Sequence, residues 1–159
     1  MNTQTKIILN DDSIKTHSSQ LPQPLVFTNG CFDILHRGHT TYLEQARNLG
    51  SSLIVGVNSD ESVRRQNKGE CRPINPLEDR MSVLASLDCV DMVVSFSEDT
   101  PLRLIKTIMP HHLVKGGDWK VADIVGAKEV DNNGGIVHSI PFQFERSTTQ
   151  LIEKIRKTI

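Results

Sequence analysis

Aromatic residues are scarce: one Trp, one Tyr and five Phe in 159 residues. Neither sign of charge is in excess, with 18 Lys and Arg against 19 Asp and Glu and a formal net charge of −1. A nucleic-acid partner needs a basic face for phosphates and rings for bases, so this composition excludes one. Cysteine is limited to Cys31, Cys71 and Cys89, with no C-x-x-C spacing. That excludes a disulfide framework and a cysteine-built zinc centre, and it reads as reduced thiols in a cytosol. No apolar run nears the roughly 18 residues a bilayer span requires. Residues 1–23 are polar apart from Ile7-Ile8-Leu9, unlike a secretory signal. They are expected to form a flexible extension, with residues 24–159 as one domain in the cytoplasm. Internal repeats and low-complexity tracts are missing too.

What is present alternates between two periodicities. Apolar runs at residues 25–28, 53–57, 92–95, 112–114 and 135–140 read as strands, the second apolar throughout like a buried parallel strand. Between them lie helical patterns. One covers residues 40–49, with Leu43, Ala46 and Leu49 on one side and Gly50 as its stop. Another starts from Asn75 as cap, Pro76 in the first turn and Glu78 three residues past the cap. A third opens at Thr100-Pro101 and runs to Met109; residues 121–126 form a helical turn and residues 147–159 a closing helix. Strands separated by helices predict an α/β domain: a five-stranded parallel sheet with helices on both faces. Ligands of such sheets sit beyond the carboxyl ends of the strands. Asn29 to His39, Asn58 to Asp60, Lys115 to Asp118 and residues 144–149 all fall there.

The most informative stretch is Phe27-Thr28-Asn29-Gly30-Cys31-Phe32-Asp33-Ile34-Leu35-His36-Arg37-Gly38-His39. A strand runs into a turn and then a helix, which aims backbone N–H groups and the positive helix end at one point, a setting for phosphate. His36 and His39, three apart, can donate to the same phosphate chain, and Gly38 lets backbone approach a ligand. His-x-x-His alone also marks many solvated helix ends. Two histidines are too few for zinc. The first turn has no G-x-G-x-x-G, which disfavours a dinucleotide oxidoreductase.

That stretch resembles the G-x-F-D-x-x-H-x-G-H signature of the nucleotidyltransferase (cytidylyltransferase-like) superfamily. The resemblance continues through Val57-Asn58-Ser59-Asp60, Arg72-Pro73-Ile74-Asn75-Pro76, Val114-Lys115-Gly116-Gly117-Asp118 and Ser147-Thr148-Thr149. The fuller set is similar to the superfamily's heptose 1-phosphate adenylyltransferases. It implies a Rossmann-like domain that transfers AMP from ATP to a heptose 1-phosphate, releasing pyrophosphate and giving ADP-heptose for lipopolysaccharide core assembly. Mg²⁺ is expected with the ATP, and no metal-ligating residues are assigned. A separate sugar kinase would supply the acceptor, and the chain is expected to form a homo-oligomer, a dimer first. Two alternatives stay open: a cytidylyltransferase acting on glycerol 3-phosphate or another small phosphorylated alcohol, and a nucleotide-binding regulatory module without turnover.

Such a reaction needs no general base, because a phosphate monoester with a second pKa of about 6 is already ionised. Catalysis then rests on alignment and on positive charge around the α-phosphate. His36, His39 and Lys68 are the candidates for it, Lys68 in a basic stretch that equally fits a solvated loop. Thr28, Asn29, Gly30, Cys31, Phe32 and Gly38 are candidates for nucleotide binding, with Lys115, Gly116, Gly117 and Asp118. The glycine pair could admit a base or ribose, and Asp118 accept from a ribose hydroxyl. Ser147 and Gln150 form a capping box; Thr148 and Thr149, preceded by Arg146, add a second phosphate cradle. Asp33, Asn58 and Arg80 are the acceptor candidates, Arg80 only through the resemblance. Asp33 could also hold the turn through its backbone. His111, His112 and His138 read as structural or surface residues.

Overall fold

Six strands, all parallel, make the sheet of the computed structural model, which describes residues 3–66, 71–144 and 147–158. In chain order the elements are β1 (Ile7–Ile8), α1 (Asp11–Gln20), β2 (Leu25–Gly30), α2 (Arg37–Arg47), β3 (Ser52–Asn58), α3 (Asp60–Arg65) and α4 (Leu77–Ala85). They continue with β4 (Met92–Phe96), α5 (Leu102–Ile108), β5 (His112–Gly116), α6 (Ala127–Asn132), β6 (Ile136–Ile140) and α7 (Thr148–Arg156). The strand order is β1-β4-β3-β2-β5-β6. The chain winds outward from β2 through β3 to β4, then returns to the other side of β2 for β5 and β6. The reversal therefore falls between β2 and β5, the place where open α/β sheets bind ligands.

The central strands are buried on both faces and so carry unbroken apolar runs. Alternate residues feed two cores. Leu25, Phe27, Ile54 and Leu113 meet Leu104, Ile105 and Ile108 of α5 on one side. Val26, Val55, Val93 and Val114 meet Leu43 and Ala46 of α2 and Met81 and Leu84 of α4 on the other. Each such side chain contributes roughly 1.5–3 kcal/mol by leaving water, and together they fix which ends of β2 and β5 face the ligand edge.

Two expectations are corrected here. The sheet has six strands, not five, because Ile7 and Ile8 pair with Val93 and Val94 at the outer edge. A strand of two residues shows no periodicity in a sequence. Its neighbours secure it: Lys6 donates to Val90 O at 2.6 Å and Leu87 O at 3.1 Å. Asn10 caps α1 by accepting from Asp12 N at 3.0 Å. Ile14 of α1, 1% exposed, joins the core. Asn75 is also not the cap of α4. The cap is Pro76, without a side-chain bond, and the Asn75 amide donates instead to Asp33 O at 2.6 Å. A tertiary partner outcompetes local capping.

The structure thus makes residues 3–20 part of the folded body. Replacing Ile14 by Ala should cost about 2–5 kcal/mol of unfolding free energy, read from urea denaturation. A loss below about 0.5 kcal/mol, the scale of a surface change, would show that this segment contributes nothing to the core.

Candidate active site

The signature loop leaves β2 at Gly30 and reaches α2 at Arg37. Helix α2 begins three residues earlier than its apolar spacing indicates, so His36 is its N-cap residue and His39 lies in its first turn. In the loop between β2 and α2, Phe32 adopts a left-handed backbone, φ 46°, and buries its ring. A non-glycine residue holds that conformation only where its surroundings enforce it, at a cost of order ~1 kcal/mol or more.

The enforcing contacts centre on Asp33. Its side chain has no exposed surface and ion-pairs with Arg72. The same carboxylate accepts from Ile74 N at 2.8 Å and Asn75 N at 2.9 Å. Next to it Arg80, 2% exposed, donates to Cys31 O at 2.6 Å, Asn75 O at 3.0 Å and Asp60 Oδ1 at 2.7 Å. The sequence reading offered Asp33 and Arg80 to the acceptor. In the structure their polar atoms brace the loop from below, while Asp33 also lines the cleft of His36 and His39 and both residues line a neighbouring cleft of about 380 Å³. Thr28 is buried, and its hydroxyl bonds Tyr42, whose own hydroxyl donates to Val114 O at 3.3 Å.

The braced loop presents two imidazoles face to face. The rings of His36 and His39 stack with centroids 3.8 Å apart and planes 20° from parallel, and the Phe32 ring meets His39 edge-on at 5.3 Å. Burial, and then the neighbouring His36, push the His39 pKa down to about 4, while burial also lowers that of His36. Both rings are therefore neutral at neutral pH. The Nδ1 atoms of both are buried and have no hydrogen-bond partner among the described residues. Buried polar atoms without partners are costly and uncommon, and a pair of them at the mouth of a helix marks a place prepared for a polar ligand.

Three adjoining clefts meet here, and Cys31 lines all three. One of about 250 Å³ brings His36, His39 and Arg72 together with Ser147, Thr148 and Thr149. A small one of about 90 Å³ joins His39 and Gly30 to Tyr42, Lys115, Gly116 and Phe142. The largest, about 420 Å³, lies beyond the ends of β3, β4 and β5, walled by Asn29, Asn58, Asp99, Lys115 and Trp119. Ser147 caps α7 by accepting from Gln150 N at 3.1 Å, as its capping box predicts. Thr148 is buried with its hydroxyl 3.4 Å from Ile34 O, which leaves Thr149 exposed. Asn58 is buried and donates to Ser62 Oγ at 2.9 Å.

The glycine pair has a different use from the one expected. A Cβ on Gly116 would lie 2.7 Å from the Phe142 ring, and Gly117 has φ 111° with the Trp119 ring nitrogen 3.0 Å from its would-be Cβ. Gly116 and Gly117 thus make room for two aromatic side chains of the chain itself. Asp118 is exposed and lines none of the three clefts. Gly38 is buried against the His36 ring and the Phe144 carbonyl, and Arg37 stacks over the Phe144 ring at 3.8 Å. Lys68 and Arg146 lie outside the described residues. Arg72, Phe142 and Trp119 line the clefts although the sequence reading passed over them. Two large rings in polar surroundings, Phe142 in Pro-Phe-Gln-Phe-Glu and Trp119 after Gly-Gly-Asp, were the available signal. His111 accepts from Leu25 N at 3.2 Å, and His112 bonds His138 at 3.0 Å, both apart from these clefts, as structural residues should.

Comparison with known proteins agrees with this geometry. Residues 27–156 match the family described as cytidylyltransferase-like. Over 140 residues the chain is 56% identical to the D-beta-D-heptose 1-phosphate adenylyltransferase of Bordetella bronchiseptica, covering 88% of this chain and 86% of that protein. It is 60% identical over 134 residues to the bifunctional protein HldE of Haemophilus influenzae, where the match spans 84% of this chain and 28% of HldE. Among solved structures, the lipopolysaccharide core biosynthesis protein of Thermoplasma volcanium superposes with a TM-score of 0.63 at 26% identity, over 77% of this chain and 98% of that one. A pantoate-beta-alanine ligase from Francisella tularensis shares the fold, with a TM-score of 0.63 at 19% identity over 95% of this chain and 77% of its own. With its signature loop, switch-point clefts and matched span, the chain belongs to the cytidylyltransferase-like family.

Proposed function

We propose that this protein is an adenylyltransferase that moves AMP from ATP to D-glycero-D-manno-heptose 1-phosphate. The products are ADP-heptose, for lipopolysaccharide core biosynthesis, and pyrophosphate. The observation that carries the reading is the stacked imidazole pair, its Nδ1 atoms without partners among the described residues, in one cleft with the hydroxyls at the start of α7. The Bordetella bronchiseptica relative supports the choice of substrates.

The triphosphate lies along His36, His39, Ser147, Thr148 and Thr149, where ring N–H groups, hydroxyls and the start of α7 favour negative charge. The acceptor occupies the ≈ 420 Å³ cleft with Lys115 and Asn58 on its walls. Its phosphate oxygen, ionised at neutral pH, attacks the α-phosphorus; a P–O bond forms there as the bond to the β-phosphate oxygen breaks, and the electron pair leaves with pyrophosphate. A histidine with a pKa near 4 is a weak base, yet its neutral ring still donates through its N–H. His39 thus stabilises charge on the α-phosphate and takes no proton from the acceptor. Lys68 and Arg146 supply further positive charge in this proposal. Among the described residues no three His, Cys, Asp or Glu side chains stand together as a cation cage. Mg²⁺ would enter with ATP and neutralise phosphate charge there, and no step above runs through it. Among the described residues no helix is long and apolar enough to cross a membrane. We place the enzyme in the cytoplasm, downstream of a separate sugar kinase, and pair two copies through exposed apolar residues such as Ile136, Leu151 and Ile155.

Pyrophosphate release measured with ATP or CTP against heptose 1-phosphate or glycerol 3-phosphate should be fastest for ATP with heptose 1-phosphate. A maximum for CTP with glycerol 3-phosphate would replace the reading with a cytidylyltransferase, and nucleotide binding without release would leave a regulatory module. His39→Ala should lower turnover on the order of 100-fold or more, with an unchanged circular-dichroism spectrum. Turnover equal to that of the natural chain would remove His39 from the chemistry.

Acid should act in two measurable ways. The unfolded chain takes up a proton at His39 near the ordinary pKa of 6.5, the folded chain only near 4. Between those values the unfolded state holds more protons, so stability falls as pH drops through that window. His36, His112 and His138 are shifted in the same direction. A bound triphosphate raises the histidine pKa again, so ATP binding at about pH 5.5 should take up protons. Titration calorimetry in two buffers of different ionisation heat reads that uptake, which His39→Ala should diminish.

A further inference from the structure

We infer that Phe142 is the platform on which the adenine ring of ATP stacks, an assignment that rests on the adenylyl-transfer reading above. Seven aromatic side chains are available. Phe27, Phe32, Phe96 and Tyr42 are buried, and the Phe144 ring is faced by Arg37. That leaves Phe142, 47% exposed, and Trp119, 49% exposed. Their surroundings separate them. Phe142 lines both clefts that contain His39, one of which also holds His36, Ser147, Thr148 and Thr149. Trp119 lines the largest cleft, which has no histidine and none of the α7 hydroxyls. A nucleotide with its phosphates against the histidines and the start of α7 therefore carries its base toward Phe142.

The ring is also held ready. Tyr42 meets it edge-on, with centroids 5.6 Å apart and planes at 68°. Gly116 lies beneath, where any Cβ would come within 2.7 Å of the ring. Tyr42 is itself fixed by its hydroxyl bonds to Thr28 and Val114 O. A ring positioned in advance loses little rotamer freedom when a ligand arrives, so more of the stacking energy appears as affinity. The contact explains why β5 ends in glycine: a side chain at Gly116 would push Phe142 out of the cleft.

Calorimetric titration of the full chain with MgATP and with inorganic tripolyphosphate tests the assignment. Phe142→Ala should weaken MgATP binding about tenfold or more, the usual effect of removing a stacking ring, and leave tripolyphosphate binding intact. Phe142→Leu keeps an apolar side chain against Tyr42 and Gly116, and it should also lose MgATP affinity while retaining tripolyphosphate. Trp119→Ala should bind MgATP as the natural chain does. The assignment is overturned if Phe142→Ala binds MgATP normally, if both variants lose tripolyphosphate as much as MgATP, or if the loss falls on Trp119→Ala instead. A natural chain that binds neither probe sinks the adenylyl-transfer reading itself, and this inference with it.

Discussion

The carboxylate of Asp33 is where two distant stretches of chain meet, and the site takes its shape from that meeting. Arg72, Ile74 N and Asn75 N converge on it from one stretch, while Phe32 and the histidines extend from the other. Buried charge of this kind adds little net stability, because desolvation offsets most of the attraction. What it adds is definition. Losing either partner would leave an uncompensated charge among apolar neighbours, at a cost of about 3–5 kcal/mol. The loop is therefore held in one conformation, including the left-handed backbone of Phe32 that brings its ring against His39.

Arg80 extends the same logic. Its three donors tie the carbonyls of Cys31 and Asn75 to the carboxylate of Asp60 at the start of α3. The floor of the site is thus built from charged residues bonded to one another and to backbone, and its upper wall from neutral imidazoles whose Nδ1 atoms have no partner among the described residues. Positive charge accumulates there only when phosphate arrives and raises the histidine pKa values. Such a site attracts its ligand without carrying a standing repulsion between stacked rings.

Much of this was legible in the residues. Period and apolar runs located the five longer strands, because a strand buried on both faces has no choice but to be apolar. The signature loop and the cap at Ser147 were visible for a similar reason: backbone geometry at a helix start restricts residue type. What stayed hidden were pairings between distant residues. Asp33 and Arg80 are of the types that bind sugars and phosphates, and nothing local says that their partners belong to the chain. Thr28 was unreadable because its partner, Tyr42, sits a helix away. Phe142 and Trp119 were passed over, and the glycine pair suggested room for a base or ribose, whereas the structure sets the two rings against those glycines.

The outermost rung of the sheet, Ile7 and Ile8, has a bearing on how the molecule behaves in company. An unprotected border strand invites a stranger's backbone to zip alongside it, the first step toward clumping. Here the ladder on β4 is closed by just two residues, and the chain on either side turns away into a capped helix and a lysine anchored on backbone carbonyls. A newcomer finds almost no rail to grip. The modest opening segment thereby acts as a selvedge, keeping a sheet rich in valine and isoleucine from unravelling into its neighbours.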